Sequence, residues 1–133
     1  MKFAKWVFLI AGIYGILVTL PLYNETGTAQ FFPPAINHPE YYYGFASAVL
    51  AWQIAFIFIS QDPIKYRPLI IPAILEKMVY VISILALALQ GRVAGAMIGF
   101  AVIDFILGTL FIVAFVLTGK EFESAATKKI SGM

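Results

Sequence analysis

The sequence predicts an all-α fold, a bundle of four membrane-crossing helices, and three observations predict it. Of the 133 residues, 62% are hydrophobic and 12% charged, about half the charge of a soluble domain. The mean hydropathy is +0.91. Four apolar stretches lie near residues 4–22, 43–60, 69–89 and 93–117, each close to the roughly 20 residues that cross a bilayer core as a helix. Together they consume most of the chain, so a single bundle is the expected domain. The absence of cysteine excludes disulfides, thiol nucleophiles and thiolate metal sites. The net charge of +2 sits at the ends of apolar segments, not in the basic stripe that nucleic acid needs.

The first stretch follows Lys2 and Lys5 and runs to Leu22. It begins like a signal peptide, but Thr19-Leu20-Pro21-Leu22-Tyr23 offers no A-x-A cleavage site, so a retained helix is expected. Pro21 and Asn24 should end it, with Trp6 and Tyr23 at opposite interfaces. Gly12 and Gly15 supply a small contact surface. Residues 23–43 form the longest polar connection. Asn24 to Thr28 read as a turn, and Phe31-Phe32-Pro33-Pro34 cannot continue a helix. Asn37 or His38 should cap the second span with Pro39 in its first turn. His38, Glu40 and Glu25 match no metal-ligand spacing, so neither a metal nor a cofactor is expected.

In the second span, Ser47, Ala51 and Ala55 make a small-residue row, and Gln53 falls near mid-depth. Asp62-Pro63 then reads as a cap followed by a proline in a first turn. Asp62, Lys65, Tyr66 and Arg67, with Lys77 beyond, read as an interfacial connector with basic anchors, or as a docking surface for an anionic headgroup or a partner. In the third span Lys77 is expected to snorkel to the interface. Glu76 needs a partner, and its neighbour Lys77 points to another side of the helix. Glu76, Tyr80 and Ser83 share a face.

The fourth span, Val93–Leu117, carries one charge, Asp104, near its centre. A carboxylate at that depth is costly unless neutralised or paired. Gly91, Gly95 and Gly99 recur every fourth position, a pattern for close helix approach within the chain or between copies. Asp104 shares its face with Met97, Ala101, Gly108 and Phe111. Tyr14, Gln53 and Tyr80 fall near the centres of the other spans, so these groups and Ser83 should approach the level of Asp104. The economical reading is a polar cluster that fixes helix positions, with a neutral Asp104 donating to Gln53. The sharper reading is a proton, ion or solute site.

Eight basic residues fall on or near one side: Lys2, Lys5, Lys65, Arg67, Lys77, Lys120, Lys128 and Lys129. Only Arg92 falls on the other. This bias predicts an up-down-up-down bundle with both termini cytoplasmic. Residues 120–133 then form a short cytoplasmic tail, a weak interfacial helix through Phe122, Ala125, Ala126 and Ile130 or a disordered end.

Tyr42-Tyr43-Gly44-Phe45, Trp52-Gln53, Asp62-Pro63-Ile64-Lys65-Tyr66-Arg67-Pro68 and Glu76-Lys77 resemble uncharacterised small bacterial membrane proteins with four helices, over about residues 41–92. The resemblance implies a bacterial inner-membrane location and assigns no functional residue. The overall layout is similar to the four-helix DoxX-like group, with no motif shared. No G-x-S-x-G, H-E-x-x-H or phosphate-binding glycine motif is present. The expected function is therefore non-enzymatic: a structural, lipid-interacting or accessory subunit of a membrane assembly. The alternative is proton- or ion-coupled transport, or binding of a small apolar ligand, by an oligomer through Asp104. The expected partners are membrane lipids and a homo-oligomer or larger membrane complex.

Overall fold

The computed structural model describes residues 2–32 and 36–133. Pro33 and Pro34, expected to break the chain after Phe32, lie outside the described residues. Among the described residues the protein is all-helical. Four helical segments are long and apolar enough to cross a membrane: Lys2–Tyr23, Pro39–Gln61, Arg67–Leu89 and Gly95–Ser131.

Helix α1 spans Lys2–Thr19 and passes into a 3-10 turn, Leu20–Tyr23, at Pro21. Its buried stripe is Ala4, Phe8, Ala11, Gly12, Gly15 and Thr19, the recurrence of one helix face. The expected turn at Asn24–Thr28 is instead a short helix, α2, Glu25–Phe31. Asn24, expected to end the first span and open a turn, caps a helix here. Its side chain accepts from the Gly27 amide at 3.0 Å, which satisfies one orphan donor of the first turn. Glu25 sits where the helix dipole favours an acid. Helix α3, Pro39–Gln61, has His38 as its N-cap residue and Pro39 in its first turn.

Tyrosines of α3 tether α2 and the preceding turn. The Tyr42 hydroxyl donates to the Leu22 carbonyl and lies 3.1 Å from Thr28 Oγ1. Tyr43 donates to Glu25 Oε2 at 3.1 Å, and the Tyr23 and Ser47 hydroxyls pair at 2.9 Å.

After α3, Asp62 Oδ1 accepts from the Lys65 amide at 3.1 Å. A 3-10 turn, Arg67–Leu69, then leads into helix α4, Ile70–Leu89. Helix α4 ends in a Schellman motif. The Arg92 amide donates to Leu87 O at 2.9 Å and the Gly91 amide to Ala88 O at 3.0 Å. Gly91 takes φ +67°, the left-handed region that only glycine enters without cost. The first glycine of the fourfold row is thus a helix terminator. Gly95 and Gly99 have open space where a Cβ would stand, so the row packs against nothing within the described chain. Ser47 and Ala51 are likewise exposed. The close approach is made instead by Gly12 and Gly15 against α3.

Helix α5, Gly95–Ser131, has 37 residues without a break. At 1.5 Å per residue it is about 55 Å long, well beyond a hydrocarbon core of about 30 Å. The fourth span and the tail therefore form one helix, exposed from Lys120 onward.

The helices associate unevenly. Helix α1 packs along α3, α4 along α5, and α1 against α5, whereas α3 and α4 barely meet. Three buried rings bind the arrangement: Phe8 stacks on Phe111 at 4.3 Å, and Phe56 meets Phe111 edge-on at 5.1 Å. Ile59, Ile70, Ala73 and Ala114 complete this core. It fills one part of the bundle, and the other part is not filled.

Candidate functional site

Helix α4 buries Ile70, Ala73, Lys77 and Ile84. The spacing of 3, 4 and 7 residues is that of an inward stripe, and Lys77 lies on it. Lys77 is 3% exposed. Its ammonium turns inward to carboxylates of the bundle, so the expected snorkelling anchor is an interior cation. Its Nζ donates to Asp104 Oδ1 at 3.3 Å, stands 3.4 Å from Glu76 Oε2, and lies 5.4 Å from the centroid of the Phe56 ring. Adjacency did not keep Glu76 and Lys77 apart, because a four-carbon stem can bend back over its own turn. One ammonium thus serves two carboxylates and rests near an aromatic face, a favourable seat for a cation.

Asp104 comes from the inward stripe of α5, with Ala101, Gly108 and Phe111 buried on the same side. At Gly108 the two helices approach closely: a Cβ there would lie 2.7 Å from Met78 Cε and 3.2 Å from Lys77 Cβ. The small residue lets α4 come close enough for Lys77 to reach Asp104. At an effective dielectric of 20, charges 3.3 Å apart attract by about 5 kcal/mol. Desolvation of each ion costs several kcal/mol in return. The pair therefore fixes the register of α4 on α5 more than it adds net stability.

The cluster opens on a cavity of about 740 Å³. Its polar lining within the four long helices includes Tyr14, Gln53, Glu76, Lys77, Tyr80 and Asp104, with Thr19 and Tyr42 beyond them. Apolar walls come from Val18, Phe45, Val49, Met97 and Phe100, and residues of α2 and its flanks, among them Gly27, Phe31 and Phe32, close another side. The weak contact between α3 and α4 leaves this space open. Tyr14 and Tyr80 line the same cavity as Asp104. Tyr80 makes a long contact to Met97 Sδ at 4.0 Å.

Gln53 is 1% exposed. Its amide donates to Val49 O at 2.9 Å, within its own helix, so the expected bond from Asp104 is not made. Its Oε1 is enclosed with no hydrogen-bond partner, and so is Glu76 Oε2. Gly15 makes room for this side chain, because a Cβ there would stand 1.7 Å from Gln53 Oε1.

The structure thus gathers Asp104, Gln53, Tyr14, Tyr80 and Glu76 around one cavity and adds Lys77 to them. Ser83 is not among the lining residues. It is exposed, and its hydroxyl bonds back to Val79 O at 2.8 Å. Of the residues expected at the interface, Asp62 and Lys65 are exposed, and Tyr66 packs on the core. Arg67 is engaged elsewhere: Nε and Nη2 donate to Phe115 O at 3.2 and 3.1 Å, and the guanidinium covers the Phe115 ring at 3.8 Å. In the connection between the first two spans His38 Nδ1 lies 3.2 Å from Glu40 Oε1, and Glu25 is held by Tyr43.

Sequence reasoning placed Lys77 with the interfacial docking residues and not with Asp104, though its place in the apolar stripe of α4 was the available signal. It also missed Phe45, Val49 and Phe100, which look like any other apolar residues of a span. Comparison of the chain with protein families, curated proteins and solved structures finds no match.

Proposed function

We propose that this chain is a non-enzymatic, multi-pass membrane protein that holds one small lipophilic molecule among its spans. The supporting observation is the 740 Å³ cavity, apolar along its walls and polar where Glu76, Lys77 and Asp104 meet. Small-molecule sites have this size, concavity and sparse placement of polar groups. A carboxylate retained at membrane depth is itself a pointer to function. With Lys77 consumed in the interior, seven basic residues remain on the side of the termini against Arg92. That bias favours an up-down-up-down bundle with both termini in the cytoplasm, in keeping with the bacterial inner-membrane setting that the sequence resemblance implies.

A second reading, a lipid-embedded subunit of a larger membrane assembly, has the exposed Gly95 and Gly99 in its favour. The two readings differ in what filling the cavity does. Val49→Trp and Met97→Trp each narrow it from a different helix. The protein is purified from native membranes in mild detergent, and its solvent extract is analysed by mass spectrometry. The binding reading expects a species near one per chain, depleted in both variants while their thermal melting stays near wild type. Equal retention in wild type and both variants would remove the cavity as the binding site and leave the subunit reading.

A further inference from the structure

On the cavity-binding reading, we infer that the cavity has its mouth on the bilayer, at the seam between α3 and α4, and that its occupant is a lipophile dissolved among the acyl chains, which enters sideways from lipid. Helix α3 packs on α1, α1 on α5 and α5 on α4, while α3 and α4 barely meet. The four long helices therefore stand in a ring closed on three sides. The cavity lies inside the ring, lined by residues of all four, and its fourth side is the loose seam. Helix α3 contributes Phe45 and Val49 to the lining, and α4 contributes Glu76 and Tyr80. Phe45 is also 50% exposed, so one ring reaches both the interior and the outer surface. Farther along the Glu76–Tyr80 face of α4, Ser83 is exposed, with its hydroxyl bonded to Val79 O at 2.8 Å. A hydroxyl satisfied by its own helix can face hydrocarbon without an orphan donor.

The two ends toward water are obstructed. Phe56, Ile59, Ile70 and Ala73 are packed in the core, between the cavity and residues 62–66 that join α3 to α4. At the other end lie α2 and Phe32, with Gly27, Thr28 and Phe31 in the lining. Tyr42 ties this piece through the Leu22 carbonyl and Thr28, and Tyr43 ties it through Glu25. The Phe32 ring stands 6.4 Å from the Phe100 ring of α5. Among the described residues, entry from water requires α2 to leave these ties, whereas entry from lipid requires only side-chain movement at Phe45. The surface beside the seam suits hydrocarbon. Ile54 and Val79, each next in sequence to a lining residue, are 46% and 55% exposed. An unfilled space forfeits the dispersion contacts that a chain or ring system supplies, so filling it from the bilayer needs no charged group on the guest.

The chain has no cysteine, so one introduced cysteine carries a single nitroxide label. Val49→Cys and Val18→Cys place the label on the cavity walls of α3 and α1. Ile82→Cys, at a position 65% exposed on α4, and Lys129→Cys, at the exposed end of α5, serve as lipid and water references. Electron paramagnetic resonance of the full chain in phosphatidylcholine vesicles measures collisions with oxygen, which concentrates in hydrocarbon, and with a water-soluble nickel chelate. The oxygen-to-nickel ratio at both cavity sites should match that at Ile82 and exceed that at Lys129 at least about tenfold, because desolvation holds a polar chelate out of hydrocarbon. Phe45→Ala, which widens the mouth, should raise oxygen collisions at Val49 and leave nickel collisions unchanged. The two cavity sites give the same readout, so one that folds poorly leaves the other to decide. A nickel-dominated ratio would overturn the lipid route. So would collision with neither reagent, the mark of a sealed cavity, or no response to Phe45→Ala. All three results leave the binding reading standing, since that depends on the species extracted from native membranes.

Discussion

Removing the Lys77 charge should cost more than removing its hydrogen-bonded partner. Lys77→Met keeps most of the apolar stem and deletes the one cation that Asp104 and Glu76 share at 3.3 and 3.4 Å. Two carboxylates, each with only 16% of its side chain exposed, would be left without compensation. Breaking a buried pair in this way costs about 3–5 kcal/mol. Asp104→Asn is different, because Lys77 keeps Glu76 within reach. The loss is then one charge-assisted hydrogen bond, about 1.5–3 kcal/mol. The triple change Lys77→Met, Glu76→Gln, Asp104→Asn removes every charge and should recover more than half of the single Lys77 loss. Reversible unfolding in mixed micelles, titrated with dodecyl sulfate and followed by far-UV circular dichroism, gives all three free energies. The reasoning fails if Asp104→Asn is as costly as Lys77→Met. It also fails if Lys77→Met costs less than about 1 kcal/mol, the level of an exposed ion pair.

Other expectations follow from the close contacts. Gly12→Ala would set a methyl 2.7 Å from Ile57 Cγ1 and 2.9 Å from the Gln53 carbonyl oxygen, so overpacking should cost about 1–3 kcal/mol in the same unfolding assay. Gly15→Ala meets the Gln53 side chain first, and Gln53→Ala should rescue it but not Gly12→Ala. Gly91→Ala should cost about 1 kcal/mol because of its positive φ. Gly95→Ala and Gly99→Ala, in open space, should be neutral or gain up to about 1 kcal/mol from helix propensity. A drop in thermal stability for the last two would contradict their placement. Gly119→Ala puts a methyl 2.5 Å from Arg67 Nη2. It and Arg67→Lys should destabilise the protein alike, with little additivity when combined, because both disrupt one contact between the Arg67–Leu69 turn and α5. Full additivity in thermal melting would separate them.

Hydropathy and length were enough to locate four helices, because each span satisfies its own backbone and needs an apolar run to do so. Asp104 stood out because charge is rare at that depth, and Tyr14, Gln53 and Tyr80 could be placed beside it by the rise of a helix. Helix α2 was missed because its seven residues have no strong period of their own. The Asn24 cap and the tyrosines of α3 hold it. The continuation of α5 to Ser131 was not legible either, since polar residues after Leu117 are compatible with a tail in any conformation.

What the linear order of residues determined by itself is the number of apolar helices and the presence of an acid within the last of them. Each is a local property, set by side-chain transfer energy and by backbone hydrogen bonding inside one segment. Which cation meets that acid depended on tertiary packing. Lys77 lies 27 positions away, and the packing of α4 along α5, close at Gly108, brings it near enough. The cavity was decided at the same level. An unfilled volume belongs to no single residue and arises where α3 and α4 fail to pack along each other.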